Sequence, residues 1–332
     1  MSHYPLADNL YADDVAQEPT RAGFGRGLKA AGEADERVVA LCADLTESTQ
    51  MHLFRDAFPE RFVEVGIAEQ NLVTVASGMA RAGKIPFTSS YAAFSPGRNW
   101  EQIRTTICLN DQPVTIVGSH AGVSVGPDGA THQMLEDIAL MRVLPNMVVI
   151  APGDSIEAEK ATRAIAESGK PSYLRLAREK TPVFSTEHSP FVIGKAYVLR
   201  EGHDISLLGT GTMTYQLLVA ANELEKHGLS AEVVHVPTIK PLDEDTILHS
   251  ITKTGRVLTA EEAQVKGGFG GAIAELLSER KPTPLLRVGM LDRFGESGAP
   301  NELLDHFGLT GAKIAEKAKA FIHTTPQYHR DY

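Results

Sequence analysis

Apolar strand-like runs and amphipathic helical stretches alternate along almost the whole chain. The run 37–44 (RVVALCAD) is typical of a strand buried on both faces. The stretch after Gly66 has apolar residues at helical spacing, and Gly83 predicts the end of that helix. Its apolar positions are Ala68, Leu72, Val75, Ala76 and Met79. Such alternation predicts an α/β protein with mostly parallel sheets covered on both faces.

The alternating pattern occurs twice, on either side of a proline-containing stretch without clear periodicity (180–193, KTPVFSTEHSPFVI). A chain of 332 residues is also long for one domain. We therefore predict two three-layer domains. The predicted divisions are an acidic, unpatterned arm or partner-contacting tail at 1–18, a first domain at 19–185, a linker at 186–194 and a second domain at 195–332. The predicted strands are 37–43, 62–65, 113–118, 147–151, 172–177, 204–208, 231–236, 256–260 and 284–288, and the predicted helices are 20–31, 66–83, 100–109, 135–142, 156–168, 215–227, 243–252, 270–280 and 312–322.

Charge and composition exclude several classes of function. The formal net charge of -10 argues against nucleic-acid binding, and 42% hydrophobic residues suffice for sizeable cores. The start MSHYPLADNLYADD lacks a signal-peptide pattern, and no apolar run approaches the roughly 18 residues of a membrane span. We expect a cytoplasmic protein without membrane contact. Cys42 and Cys108 lie in apolar runs, which predicts reduced thiols in the core.

Polar side chains cluster where predicted strands end. Asp44 and Ser48 follow the first strand, Glu69 the second, and Arg178 a later one. The strand at 113–118 runs into SHAGVSVGPDGATHQ, which contains His120, Asp128 and His132. Because ligands of parallel sheets bind at the carboxyl ends of the strands, these side chains predict a binding site on one rim.

The ordered motifs FVEVGIAEQN, HAGVSVGPDGATHQ, LPN and LAREKTP resemble those of transketolases. The resemblance covers nearly the whole chain. It implies that the first domain has the thiamine-diphosphate pyrimidine-binding fold. Residues 195–332 are similar to the transketolase carboxyl-terminal domain.

The resemblance implies a cofactor set of Glu69, Phe94, Tyr91 and Asp44. In the family the glutamate of this motif hydrogen-bonds N1′ of the aminopyrimidine and favours the imino form, whose 4′-nitrogen removes the C2 proton. The aromatic ring of Phe94 would pack on the pyrimidine, and Tyr91 would line the same pocket. The following residues, 97–100 (GRNW), depart from the family pattern where a third aromatic is expected.

A substrate set follows from the same resemblance. His132 would bind the ketose oxygen and assist proton movement, and Asp128 would bind a sugar hydroxyl. The terminal phosphate would be held by Arg21, Ser48, His120 and Arg178, since the planar guanidinium suits a multi-oxygen anion.

The family's metal site is missing from this sequence. Its members hold the diphosphate through Mg²⁺ bound by a Gly-Asp-Gly motif and a downstream Asn, whereas the one near match here, at Asp128, belongs to the substrate loop. The resemblance therefore implies an N-terminal diphosphate-binding partner subunit that supplies the metal ligands, in an α2β2 assembly. The implied reaction is transfer of a two-carbon ketol unit from a ketose phosphate to an aldose phosphate, as in the pentose phosphate pathway.

Three other functions fit parts of the pattern. Deoxyxylulose-phosphate synthases share the Gly-Ile-Ala-Glu and Asp-Gly-x-Thr-His-Gln elements but typically have Arg in place of His120. The β chains of 2-oxoacid dehydrogenases have a similar layout and typically lack Thr-His-Gln. A non-catalytic, transketolase-like interaction subunit would be favoured by loss of Glu69 or the histidines, and all are present.

Overall fold

The computed structural model describes residues 4–12 and 14–327. Its strands are β1 (Gln17–Glu18), β2 (Val38–Cys42), β3 (Phe62–Glu64), β4 (Ile85–Tyr91), β5 (Thr115–Ser119), β6 (Val148–Ile150), β7 (Ser172–Arg175), β8 (Thr181–Pro182), β9 (Tyr197–Arg200), β10 (Ile205–Gly209), β11 (Ala231–His235), β12 (Thr238–Lys240), β13 (Val257–Gln264) and β14 (Leu285–Met290).

Most helices lie where the alternating pattern predicts them, whereas those at 52–57 and 300–306 were not predicted. They are α1 (Thr20–Ala34), α2 (His52–Ala57), α3 (Glu69–Arg81), α4 (Trp100–Gln102), α5 (Asp137–Arg142), α6 (Ser155–Ser168), α7 (Met213–Glu225), α8 (Glu244–Thr254), α9 (Phe269–Arg280), α10 (Pro300–His306) and α11 (Gly311–Thr324). Helix α4 continues as a π-helix over Ile103–Cys108, and 3-10 turns lie at Pro59–Arg61 and Val123–Val125.

Two large sheets organise the chain. The first has the order β12-β6-β7-β5-β4-β2-β3 and is parallel except for β12. The second has the order β14-β13-β10-β11-β9 and is parallel except for β9. The predicted α/β class with mostly parallel sheets is therefore confirmed.

Strand β2 shows why its sequence is apolar without interruption. All five of its residues are buried. Val39 and Leu41 pack in a cluster with Leu72 of α3, whereas the alternate residues pack on the other face with Phe24 of α1. A strand covered by helices on both faces has no solvent-exposed position. Apolar and polar residues therefore do not alternate along it.

The segment predicted as an arm packs against the rest of the chain. Tyr4, Leu10 and Val15 are buried, β1 pairs with β8, and Leu6 forms a bridge with Ser185. Residues 1–3 and 13, which belong to the same predicted segment, lie outside the described residues. The described part of this segment therefore packs on the chain itself, and its contact with a partner stays a prediction.

Five strands, β1, β4, β8, β9 and β12, were missed by the sequence pattern, and two of them show why. Strand β4 lies near the centre of the first sheet, but its Thr88, Ser89 and Ser90 interrupt the apolar run. Strand β12 follows the second domain's β11 in sequence and nevertheless pairs with β6 of the first sheet, with Thr238 opposite Ile150. Long-range pairing of this kind has no signature in local periodicity.

Cys42 and Cys108 are buried free thiols, as predicted. Burial raises the pKa of the Cys108 thiol to about 11, which keeps it protonated at neutral pH. Within residues 4–12 and 14–327, every helix is too short or too polar to cross a membrane.

Candidate functional site

Helix α3 begins at Glu69, directly after a turn in which Gly66 has φ +71°. The Glu69 side chain is only 4% exposed. From the described part of the chain its carboxylate receives neither a hydrogen bond nor an ion pair, although a buried acid normally has partners. Asn99 Nδ2 donates to the Glu69 carbonyl oxygen at 2.8 Å. The structure thus holds the backbone of this acid and leaves its carboxylate for another molecule.

Asn99 lies in the stretch where the sequence departs from the family pattern. It is fully buried and its Nδ2 also contacts Ser95 Oγ at 3.1 Å. Because Ser95 follows Phe94 directly, Asn99 connects the start of α3 to the turn that carries the predicted pyrimidine-packing ring. Sequence reasoning noted the departure but missed this buried amide.

Glu64, which was not predicted as a site residue, joins the ends of β2 and β3. Its carboxylate accepts the backbone N–H groups of Asp44 at 2.8 Å and Gly66 at 2.9 Å, and the Thr46 hydroxyl at 3.1 Å. These bonds fix the turn that precedes Glu69. The available signal was its place as the last residue of a strand, next to the rim.

Four rings form a cluster at the ends of β4 and β5. The Tyr91 and His120 rings stack with centroids 3.9 Å apart, and Tyr91 and Phe94 are 6.0 Å apart. The His132 ring stands edge-on to Phe94 at 5.4 Å. Residues from the predicted cofactor set and the predicted substrate set therefore share one surface.

His120 is a neutral imidazole at physiological pH. Burial, followed by the positive charges of Arg21 and Arg178, lowers its pKa to about 3. Its backbone has φ +57°, and its Nδ1 lies 2.8 Å from Ser119 Oγ. Since a neutral imidazole has one donor and one acceptor nitrogen, His120 can exchange hydrogen bonds without carrying charge.

Two guanidinium groups stand beside this cluster. Arg21 donates to the carbonyl oxygens of Ser48 at 2.6 Å and Arg178 at 3.1 Å. Arg178 donates to the Val125 carbonyl at 2.7 Å and forms ion pairs with Asp128 and Glu179, each at 3.4 Å. Burial and the neighbouring Arg178 lower the pKa of Arg21 from its ordinary value. Arg178 is thus paired with two carboxylates, whereas Arg21 is bonded only to carbonyl oxygens and keeps a charge that favours an anion.

Direct contacts join eight of the ten predicted residues in two groups, the four rings and the set of Arg21, Ser48, Asp128 and Arg178, and Asn99 connects Glu69 to the turn that carries Phe94. The exception is Asp44, an exposed residue with φ +57°. Its backbone N–H donates a hydrogen bond to the Glu64 carboxylate. Among the described residues, no contact joins Asp44 to the ring cluster, so its cofactor role stays a prediction.

The two halves of the chain match two protein families. Residues 17–183 match "Transketolase, pyrimidine binding domain", and residues 194–314 match "Transketolase, C-terminal domain". The chain belongs to the transketolase family. The predicted resemblance and both fold types are therefore confirmed.

Similar proteins of comparable length are known within the transketolase family. A Methanocaldococcus jannaschii chain described as a transketolase C-terminal section is 44% identical, over 90% of this chain and 94% of its own length. The 6-deoxy-6-sulfo-D-fructose transketolase subunit SqwH of a Clostridium species is 43% identical, over 86% and 89%. A solved structure titled "Split gene transketolase, inactive beta4 tetramer" is 43% identical with a TM-score of 0.86, covering 92% of this chain and 98% of that one.

Longer relatives align with this chain over about half of their length. A 1-deoxy-D-xylulose-5-phosphate synthase of a Cyanothece species is 38% identical over 90% of this chain, which spans 48% of that enzyme. Within the described ranges, no group of three or more His, Cys, Asp or Glu side chains is arranged to hold a metal ion.

Proposed function

We propose that this chain is one subunit of a thiamine-diphosphate-dependent transketolase that transfers a two-carbon ketol unit between sugars. The observation that carries the proposal is the buried Glu69 carboxylate without a protein partner, next to a ring cluster and the cationic Arg21. An acid that is only 4% exposed and has no partner among the described residues is free to hydrogen-bond a ligand.

The residues present fit the aminopyrimidine of the cofactor. Glu69 would accept or share a proton with a ring nitrogen, and the rings of Phe94 and Tyr91 would pack against the flat heterocycle. When bound, thiamine diphosphate would supply a nucleophilic carbon for the ketose carbonyl and a cationic ring that delocalises the electron pair of the broken C–C bond.

The histidines and Asp128 would bind the sugar. His120, being neutral, can donate one hydrogen bond and accept another from hydroxyl groups. His132, whose Nδ1 lies 2.9 Å from Thr131 Oγ1, would present its other nitrogen to the substrate oxygen. In this position His132 would move a proton as the C–C bond of the donor breaks.

Arg21 and Arg178, with Ser48 and His120, would hold the terminal anion of the sugar. The planar donors of arginine match phosphate and sulfonate oxygens alike. Similarity to a 6-deoxy-6-sulfo-D-fructose transketolase subunit makes a sulfonated ketose the second donor to test.

A separate, N-terminal subunit would supply the diphosphate site and the Mg²⁺ ligands. Near full-length similarity to a split-gene transketolase chain and to a C-terminal section supports this division. We propose a cytoplasmic α2β2 assembly in which the cofactor lies between the two kinds of chain.

The direct test is co-expression with a partner that has the Gly-Asp-Gly motif. With Mg²⁺ and thiamine diphosphate, the complex should transfer glycolaldehyde from xylulose 5-phosphate to ribose 5-phosphate, with 6-deoxy-6-sulfo-D-fructose as the alternative donor. Glu69→Gln should abolish transfer, while Glu279→Gln at an exposed position of α9 should leave it unchanged. A complex that decarboxylates pyruvate and transfers no ketol would overturn the proposal and favour a deoxyxylulose-phosphate-synthase-like or dehydrogenase-type reaction.

A further inference from the structure

The second domain reaches into the loop that carries His120, Asp128 and His132. The first contact is made by Glu262 near the end of β13, which is 3% exposed. Its Oε2 accepts the backbone N–H of Ser124 at 3.1 Å, and its Oε1 accepts the Thr212 hydroxyl at 3.0 Å. One carboxylate of the second domain thus satisfies a buried backbone donor of the first.

The loop backbone is shaped to approach this carboxylate. Gly122 has φ +87°, and a Cβ placed there would lie 2.4 Å from the carboxyl carbon of Glu262. A side chain at this position would therefore be strained and would displace Glu262. The glycine permits contact between the loop and the second domain two residues after His120.

A second contact holds the other end of the loop. Gln133, adjacent to His132, is 3% exposed, and its Nε2 donates to the carbonyl oxygens of Val123, Gly126 and Glu296. The first two bonds close the loop on itself, and the third, at 2.8 Å, ties it to the second domain.

The same region of the second domain lies against the glycines that flank Asp128. A Cβ on Gly129, which has φ +72°, would lie 2.4 Å from Ser297 Oγ, and one on Gly126 would lie 3.0 Å from Pro300. The loop is thus held from two sides by residues remote from it in sequence.

Arg175 connects this contact to the first sheet. Its Nη2 donates to the Glu262 carbonyl at 3.2 Å, and its Nε donates to Asp137 at 2.8 Å in a buried ion pair. Arg175 is the last residue of β7. Its bond therefore fixes the position of Glu262 relative to the first sheet, whose rim forms the site.

We infer that Glu262 is a positioning residue. It acts through the Ser124 N–H to hold the loop that presents Asp128 and His132 to the sugar, and this gives the second domain a part in catalysis. The inference rests on the proposed transketolase function for its kinetic part and on geometry alone for its structural part.

The experiment compares three variants in the complex with the partner subunit. Glu262→Ala removes both hydrogen bonds. Glu262→Gln can keep both, since its amide oxygen can accept from Ser124 and its NH₂ can donate to the Thr212 hydroxyl. Thr212→Val breaks only the bond outside the loop and is the matched control.

Glu262→Ala should lower kcat/KM for the ketose donor on the order of 10- to 100-fold, the effect of displaced reacting groups. Half-saturation by thiamine diphosphate should stay at the wild-type value, because Glu69 and Phe94 lie outside the loop. Glu262→Gln should restore most of the activity, and Thr212→Val should remain close to wild type. Equal kinetics of Glu262→Ala and wild type, or a loss in Thr212→Val as large as that in Glu262→Ala, would overturn the inference.

Hydrogen exchange of the chain provides a measurement that needs no activity. In Glu262→Ala the amides of residues 122–133 should exchange faster, while those of β2 and β4 should not change. Should this variant fail to fold, Glu262→Asp withdraws the carboxylate by about 1.5 Å, one C–C bond, and should show the same two effects. Unchanged loop exchange refutes positioning, whereas an inactive wild-type complex refutes only the proposed function.

Discussion

The buried His120 imidazole links the stability of the first domain to pH. Burial and the charges of Arg21 and Arg178 lower its pKa from the ordinary value of 6.5 to about 3. In the unfolded chain the same side chain is in water, away from both cations, and regains its ordinary pKa. Between these two values, unfolding takes up a proton at His120.

The sign and the size of the effect follow from that difference. A depressed native pKa gives a contribution that is complete above pH 6.5 and is lost as pH falls toward 3. At pH 5, about 1.5 pH units below the unfolded pKa, the loss is about 2 kcal/mol, since one unit is worth about 1.4 kcal/mol. Because pH 5 lies well above the native pKa of His120, the folded protein does not take up a proton there, and the lost unfolding free energy is not offset.

The test compares His120→Asn with wild type in urea unfolding at pH 7 and pH 5. Asparagine tolerates the φ of +57° at this position and cannot titrate. Trp100, the single tryptophan, lies in the first domain and reports its unfolding by fluorescence. Between pH 7 and pH 5, the wild-type unfolding free energy should fall by about 2 kcal/mol more than that of the variant.

A matched control separates titration from simple loss of contacts. Ser119→Ala removes the hydrogen bond to His120 Nδ1 but retains the titratable ring, so its pH dependence should follow wild type. If His120→Asn and wild type lose the same free energy over this range, the buried, cation-flanked histidine does not behave as described.

Three further outcomes are expected. Glu69→Gln should abolish ketol transfer and leave the melting temperature of the chain unchanged or higher, since the carboxylate has no described protein partner; a large drop would assign it a structural role. Asp137→Ala should cost about 3–5 kcal/mol in urea unfolding, because it leaves Arg175 buried without its ion-pair partner, whereas Arg280→Gln, which breaks an exposed pair, should have little effect. Arg178→Ala should raise the KM of a phosphorylated donor about 10- to 100-fold through the lost charge-assisted bond, with no such change for erythrulose, which has no phosphate.

Local sequence patterns predicted the parts of the site that are contiguous in the chain. The short strand before Gly66, followed by a helix, placed Glu69 correctly at the start of α3. The loop after β5 likewise placed His120 and His132 together, and the structure brings both against Tyr91. In each case a strand end fixes the position, so the local pattern suffices.

Contacts between segments distant in the chain were not predictable in this way. Glu262 lies 138 positions from Ser124, and no periodicity relates the two. Asn99 was missed because the expectation there concerned aromatic residues, and a buried amide fills the position. The partners of such polar side chains are backbone groups of distant segments. These partners can be identified only once the fold is known.

The pairing of β12 with β6 has a consequence for exchanging parts between related proteins. A recombination breakpoint placed in the proline-containing linker would separate β6 from its edge partner and expose its unpaired N–H and C=O groups to aggregation. Continuing the native sequence through Lys240 would restore that pair but would divide the second sheet, in which β10 pairs with β13, so both domains should be taken together. The unit that can be inherited or transplanted intact is then larger than the segment matched by the pyrimidine-binding family.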